Sequence, residues 1–239
     1  MIGSKTHGAV TVLELQRDER RNALNTAMCR ALYAAVDEAI DEGARVLVIT
    51  GQGSAFCAGA DLDAAYDDDF LGALYGMLGH LREVPVPIIA AVNGPAIGAG
   101  TQLAMACDLR VADATAKFAV PTARNGMAVD AWTIRTLSKL AGEGAAREMM
   151  LAATTLDLDA AFASGLVDRR GGVDEAIAWA TEISALAPLA LAHNKLVLNS
   201  ASSDDDAIAE SFAKVWASRD VREAAAARSE KRPPVFRGE

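Results

Sequence analysis

The sequence predicts an α/β fold, with a core of parallel strands joined by helices and an all-helical C-terminal part. Two apolar runs, Val46 to Ile49 and Val86 to Val92, read as strands buried on both faces, and helical periodicity lies between them. Strand, helix, strand in that order implies parallel pairing with right-handed crossovers. From Trp132 onward the apolar pattern is helical to the end.

The elements follow in chain order. Val10, Val12, Leu13 and Leu15 form a short β-rich run, stopped by the charged stretch Arg17 to Arg21. Thr26, Met28, Leu32, Val36, Ala39 and Ile40 recur at helical spacing up to Gly43, with Asn25 or Thr26 able to cap the start. A glycine-rich loop, Gly51 to Gly59, leaves the Val46 to Ile49 strand. Leu71, Leu74, Tyr75, Leu78 and Leu81 mark a second helix, whose stripe suits either the core or a ligand pocket. Beyond Val92, Asn93-Gly94-Pro95 turns the chain, and a helix of small residues opens over Gly98 to Met105. Leu109 to Ala112 and Lys117 to Val120 are shorter strand candidates. Breaks near Gly142, Gly165, Gly171-Gly172, Pro188 and Ser202-Ser203 divide the helical remainder.

Composition excludes several classes of protein. The 239 residues carry 23 basic and 32 acidic side chains, a net charge of −9, and are 51% hydrophobic, as in an ordinary globular chain. No basic cluster is present to neutralise a run of phosphates, so neither nucleic acid nor a polybasic membrane contact is expected. Cys29, Cys57 and Cys107 include no CxxC pair, which fits a reducing cytoplasm better than a disulfide or zinc framework. Cys57 lies in the first glycine loop with no basic partner nearby in sequence and reads as a packing residue. His7, His80 and His193 share no ligand spacing, and the runs Asp67-Asp68-Asp69 and Asp204-Asp205-Asp206 lack a calcium-loop pattern, so no metal is expected. The opening residues read as no export signal. The charge-free run Val84 to Cys107 is 24 residues long, but Pro85, Pro87, Gly94, Pro95, Gly98 and Gly100 break it, so no transmembrane helix is expected.

Two loops carry the candidate chemistry. Gly51 to Leu62 follows a buried strand, and its small residues allow close backbone approach to a ligand. Asn93 to Asp108 leaves a strand and enters a helix, whose first N–H groups lack internal partners and attract an oxyanion. If the loops face each other, one N–H from each holds a carbonyl oxygen between two donors, worth roughly 3–4 kcal/mol per donor on a developing charge.

Arg21-Asn22-Ala23-Leu24-Asn25, then Phe56 to Leu62, then Asn93 to Gly100 and Cys107-Asp108, in this order and spacing, resemble the crotonase (enoyl-CoA hydratase/isomerase) superfamily over essentially the whole chain. The resemblance implies a ClpP/crotonase-like α/β fold of repeated ββα turns, with a core over residues 1–185 and a helical trimerisation region over 186–239. It implies a coenzyme A thioester as ligand, no covalently bound cofactor, and a homotrimer or a hexamer built as a dimer of trimers. Carried over by position, the oxyanion-hole donors are the N–H groups of Ala60 and Ala99. Adenine and pantetheine contacts fall on backbone near Ala23, Leu24, Ala58 and Ala60, with Arg21, Asp61, Leu62 and Gly98 at the same site. Lys231, beside Arg232 in the tail, matches a lysine that in the family reaches a CoA phosphate, often from a neighbouring subunit.

The catalytic positions depart from the hydratases. Two glutamates there move the protons of water and of the α-carbon; Gln102 and Thr122 stand at those positions, and neither exchanges a proton near neutral pH. Acid–base help is worth about 10²–10⁴-fold per group, so hydratase turnover is expected to be weak or absent. Asp130 matches a position where some relatives keep a catalytic carboxylate, and equally suits the cap of a helix beginning at Ala131. An active hydratase or isomerase using Asp130 therefore stays open, as does a protein–protein adaptor. The Gln102, Asp130-Ala131-Trp132 and Glu230-Lys231-Arg232-Pro233-Pro234 combination looks like a catalytically incomplete branch of the family associated with fatty-acid synthase and mycolic-acid assembly, which points to acyl-CoA binding. Arg17, Arg20 and Arg21 at one end and Arg228, Lys231 and Arg232 at the other are expected to meet at the CoA mouth.

Overall fold

The computed structural model describes residues 1–61, 63, 69–200 and 206–239. Leu62, Asp67, Asp68, Ser202, Ser203, Asp204 and Asp205, all named above, lie outside the described residues.

Alternation of apolar side chains builds the main sheet. Strands β1 (Ile2–His7), β2 (Val10–Leu15), β3 (Val46–Gly51), β4 (Ile88–Val92), β6 (Leu109–Ala112) and β9 (Arg169–Arg170) lie side by side in that order. Pairing from β2 to β9 is parallel, as expected, while β1 is antiparallel to β2. Leu13, Leu15, Leu47, Ile49, Ile88 and Ala90 project into one core, under α1 (Thr26–Asp41), α2 (Phe70–Glu83) and α3 (Ala99–Ala106). Val10, Val12, Val46, Val48, Ile89 and Ala91 project to the opposite face, where Ala176, Ala180 and Ile183 of α6 (Val173–Ser184) cover them. Each fully buried Leu or Ile side chain contributes about 1.5–3 kcal/mol.

The second sheet carries the chain past the site. It joins β5 (Pro95–Ile97), β7 (Lys117–Ala119) and β8 (Leu156–Asp157). Strand–strand–helix units thus recur as β1-β2-α1, β4-β5-α3 and β6-β7-α4, the last helix being α4 (Ala131–Leu151), in which Gly142 (φ 75°, ψ 157°) leaves helical geometry. Asn25 caps α1 by accepting from the Met28 N–H at 2.8 Å. Four short or polar strands correct the sequence reading. β1 was not anticipated, β5 occupies the expected turn, and β8 and β9 interrupt the stretch read as wholly helical.

Two buried cations pin the C-terminal half to the core. α5 (Leu158–Ser164) ends at Gly165 (φ 89°), after which Arg110 donates to the carbonyls of Leu166 at 2.7 Å and Cys107 at 3.0 Å and pairs with Asp168 at 3.0 Å. Lys195, on α7 (Pro188–Asn199), donates to Leu81 O and Val86 O, each at 2.9 Å, and pairs with Asp108 at 2.8 Å. α8 (Asp206–Ala217) and α9 (Arg219–Glu230) follow, and the tail folds back so that Asp220 accepts from the Arg237 and Gly238 N–H groups. Among the described residues no single helix is long and apolar enough to cross a membrane.

Candidate functional site

Backbone pairing brings three loop segments together. Cys57 N–H donates to Pro95 O at 3.1 Å and Ile97 N–H to Cys57 O at 3.0 Å, so the two glycine loops are zipped side by side. On the other flank, Leu24 N–H donates to Gly59 O and Asp61 N–H to Leu24 O, both at 2.7 Å, which turns the Ala60 N–H away from Leu24. Neither the Ala60 N–H nor the Ala99 N–H, at the first residue of α3, has an acceptor among the described residues. The two are neighbours, since a Cβ added at Gly59 (φ 110°) would lie 2.8 Å from Ile97 O and 3.9 Å from the Ala99 nitrogen.

Glycine is required where the loops touch. A Cβ at Gly100 would lie 2.1 Å from Cys57 O, and one at Gly94 would lie 2.4 Å from Ser54 O. Two asparagines fix the first loop from its sides. Asn22, fully buried with φ 57°, donates to Gln52 O at 2.9 Å and Ala55 O at 2.8 Å, and accepts from Arg17 N–H at 3.0 Å. Asn93 donates to Gly51 O at 2.7 Å and Gly53 O at 3.1 Å. Asn22 sits inside the quoted motif, yet its role depends on partners some 30 residues away, which no local pattern displays. Replacing Asn22 with alanine removes three hydrogen bonds and puts a Cβ-branchless but αL-averse residue in its place; thermal or denaturant unfolding is expected to show a loss of about 3 kcal/mol.

A cavity of about 720 Å³ opens beside the two N–H groups. Ala58, Ala60, Asp61, Gly98 and Ala99 line one end, and Phe70, Leu71, Leu74 and Tyr75 of α2 line another stretch of wall, together with Val129. The leucine stripe therefore splits, with Leu78 and Leu81 in the core and Leu71, Leu74 and Tyr75 on the cavity. Leu24 is fully buried in the core and contributes backbone alone.

Gln102 and Thr122, the two positions where glutamates were expected of a hydratase, both line this cavity. Thr122 does so from the turn after β7, and Gln102 from α3. Gln102 donates from Nε2 to Thr133 Oγ1 at 2.7 Å, and Thr133 Oγ1 in turn donates to the Asp130 carboxylate. Asp130 is the cap of α4, its carboxylate also accepting the Thr133 N–H at 3.2 Å, and its own N–H donates to the Tyr75 hydroxyl at 3.3 Å. Ala128 and Val129 form the wall in front of it.

Charge at the site is largely paired. The Arg17 guanidinium lies 2.6 Å from Asp61 and holds that carboxyl below the usual carboxylate range. Arg20 pairs with Asp63 at 3.2 Å. Arg232 forks onto Glu223 and also meets Glu230, which raises its own pKa and pulls Glu223 down to about 2. Of the two basic clusters expected at one mouth, Arg17, Arg20 and Arg232 are thus paired with local carboxylates. Within one chain no described contact joins the clusters, and Arg228 lines a separate groove among α7, α8 and α9 with Phe212 and Trp216. Arg21 and Lys231 are exposed and make no ion pair among the described residues. All three cysteines are buried and their thiols pushed up to about 12 by desolvation, so Cys57 is a packing residue. Among the described residues no group of His, Cys, Asp and Glu could hold a metal ion.

A paired main-chain N–H grip beside an apolar cavity, on strand–strand–helix units, defines the class: the chain belongs to the enoyl-CoA hydratase/isomerase family, whose model matches residues 5–239, and it has the crotonase fold. It is 49% identical to the "Probable enoyl-CoA hydratase echA6" of Mycobacterium tuberculosis, over the full length of both chains. Among solved structures it resembles an enoyl-CoA hydratase/carnithine racemase from Magnetospirillum magneticum at 32% identity and a TM-score of 0.89, covering 100% of this chain and 96% of that one. An enoyl-CoA hydratase from Bacillus anthracis matches at 28% identity and a TM-score of 0.90, covering 100% and 99%.

Proposed function

We propose that the protein binds fatty acyl-CoA thioesters, gripping the thioester oxygen between the Ala60 and Ala99 N–H groups, and turns over enoyl thioesters weakly or not at all. One observation carries the reading: two unpaired N–H donors open onto a cavity of about 720 Å³ whose proton-transfer positions hold Gln102 and Thr122. The grip polarises a carbonyl, but the carboxylates around it are engaged elsewhere: Asp130 caps a helix, while Asp61 and Asp63, which line the cavity, are paired with Arg17 and Arg20. Arg21 and Lys231, which make no ion pair among the described residues, are proposed to face the CoA phosphates, Lys231 from a neighbouring protomer.

The assembly is proposed to be a homotrimer or a dimer of trimers held by residues 186–239. Support comes from the exposed Leu198, Phe212 and Trp216 of that region, large apolar side chains that one chain leaves in water. Three free, buried thiols suit a cytoplasmic setting, and the partners proposed are enzymes of fatty-acid synthesis, with mycolic-acid assembly as the pathway.

Calorimetric titration with medium- and long-chain acyl-CoAs is expected to show saturable binding, while crotonyl-CoA and longer enoyl thioesters are hydrated at the same near-background rate by the wild type and by Asp130→Asn. Absence of affinity for every acyl-CoA would reject the binding reading. A rate well above background that falls in Asp130→Asn would make the protein an enzyme using that carboxylate.

A further inference from the structure

The outer faces of α2 and α4 run against the acidic character of the chain. From Phe70 to Gly79 the sequence carries no charge, and Leu71, Gly72 and Gly76, which share one side of α2, are exposed. A Cβ at Gly72 or Gly76 would meet nothing within 4 Å, so no described neighbour covers that side. From Ala131 to Gly142 the only charged residues are Arg135 and Lys139, four apart on the exposed side of α4 and next to Ile134, itself 44% exposed. Neither cation makes an ion pair among the described residues. On a chain with a net charge of −9 this is a local reversal of sign.

The two faces flank one opening. Leu71, 57% exposed, and Met127, 40% exposed, both line the cavity, so they stand at its rim, one on α2 and the other just before α4. The helices are held side by side there, by the Asp130 N–H donating to the Tyr75 hydroxyl at 3.3 Å and by the Arg82 guanidinium 4.4 Å from the centre of the Trp132 ring. Along α4, Lys139 follows Ile134 by about 8 Å.

Exposed leucine, methionine and isoleucine at a cavity edge, with arginine and lysine and no carboxylate on the same helix face, match an anionic lipid interface. The apolar groups dip among the acyl chains, and the long cationic stems reach the headgroups. Two cations alone would not hold a protein on lipid; the apolar rim supplies the rest. An acidic protein surface would match the charges equally well, but it has nothing to set against the side of α2 where Gly72 and Gly76 present no side chain. Fluid acyl chains pack there without a shaped partner.

We infer that the protein docks reversibly on anionic membrane surfaces through the outer faces of α2 and the first turns of α4, with the cavity edge toward the bilayer. A long-chain acyl-CoA is an amphiphile that partitions into bilayers, so docking lets its chain pass from lipid to cavity without crossing water. That consequence rests on the thioester reading above, whereas the docking itself does not.

Co-sedimentation of the full chain, in its own assembly, with vesicles of phosphatidylcholine and of phosphatidylcholine mixed with phosphatidylglycerol tests it. Retention is expected on the mixed vesicles above that on phosphatidylcholine alone, falling as salt is raised. Arg135→Gln together with Lys139→Gln is expected to lower the partition coefficient about 25-fold, about fivefold per cation, and Ile134→Ser to lower it on the mixed vesicles as well. None of the three side chains lines the cavity, so calorimetric affinity for acyl-CoA without lipid is expected to stay as in the wild type. No retention on mixed vesicles, or retention that the paired substitution leaves unchanged, would overturn the inference. Binding to soluble polyglutamate with none to vesicles would overturn it in favour of an acidic protein partner. Failure of the lipid-free chain to bind any acyl-CoA would overturn the thioester reading and leave docking to be judged by the vesicles.

Discussion

Replacing Gly100 with alanine is expected to weaken acyl-CoA binding by about 100-fold, the scale of a 1 Å misplacement in a positioned site. The added Cβ would lie 2.1 Å from Cys57 O and 3.0 Å from the Cys57 carbonyl carbon, and these are backbone atoms that cannot rotate aside. The loops must part, which strains both hydrogen bonds between Cys57 and the Pro95–Ile97 strand and separates the Ala60 and Ala99 N–H groups. Overpacking at about 1–3 kcal/mol and two weakened hydrogen bonds at about 1 kcal/mol each give an expected stability loss of about 3–5 kcal/mol. Gly144→Ala is the control, because a Cβ there meets nothing within 4 Å; lying in the first turn after the break at Gly142, it should leave both stability and binding nearly as they were. Unchanged calorimetric binding in Gly100→Ala would show that the zipped loops do not set the grip.

The second large effect lies away from the cavity. Lys195→Met is expected to lower stability by about 3–5 kcal/mol, since it orphans the Asp108 carboxylate and strips a donor from the carbonyls of Leu81 and Val86. In a chain of this size that is a drop of about 10 °C in Tm. The loss should depend on pH in a definite sense. Burial raises the Asp108 pKa above its usual carboxylate value, and the Lys195 ammonium is the largest influence holding it down. An acid whose folded pKa is raised binds its proton more tightly when folded, so folding is favoured below that pKa and loses ground as pH rises through it. Removing Lys195 raises the folded value further. The deficit of Lys195→Met relative to wild type should therefore be smaller at about pH 5 than at about pH 8. Adding Asp108→Asn should recover part of it, because a neutral amide can still accept the Ile88 N–H. Chemical denaturation of the wild type and the two variants at both pH values checks the sign.

Much of the fold was legible because its signals are local. Val46 to Ile49 is a strand buried on both faces, as expected, and the run read over Val86 to Val92 forms one from Ile88; of the two expected caps, Asn25 and Thr26, Asn25 is the one used. What escaped lacks a local signal. β1 is a polar edge strand, Ile2-Gly3-Ser4-Lys5-Thr6-His7, with exposed residues at its centre, and β8 and β9 are two residues each. Likewise the loops that form the carbonyl grip were readable from glycine spacing, but their contact was not. That Gly100 faces Cys57 O, or that Asn22 spans to Gln52 and Ala55, is a fact about distant partners. Charge is less legible for the same reason. Counting arginines near the first helix does not show that Asp61 and Asp63 arrive from another loop and pair with Arg17 and Arg20.

The proposed carbonyl grip consists wholly of main-chain N–H groups, whereas the positions proposed to lack proton transfer, 102 and 122, are side chains of the cavity wall. The two capacities are therefore inherited separately. On the proposed reading, point mutation can rewrite the chemistry one side chain at a time, at positions such as Gln102 and Thr122, without touching recognition, whereas recognition is lost only when the path of the backbone changes. A scaffold so divided is apt to give rise to descendants that sense a metabolite rather than consume it.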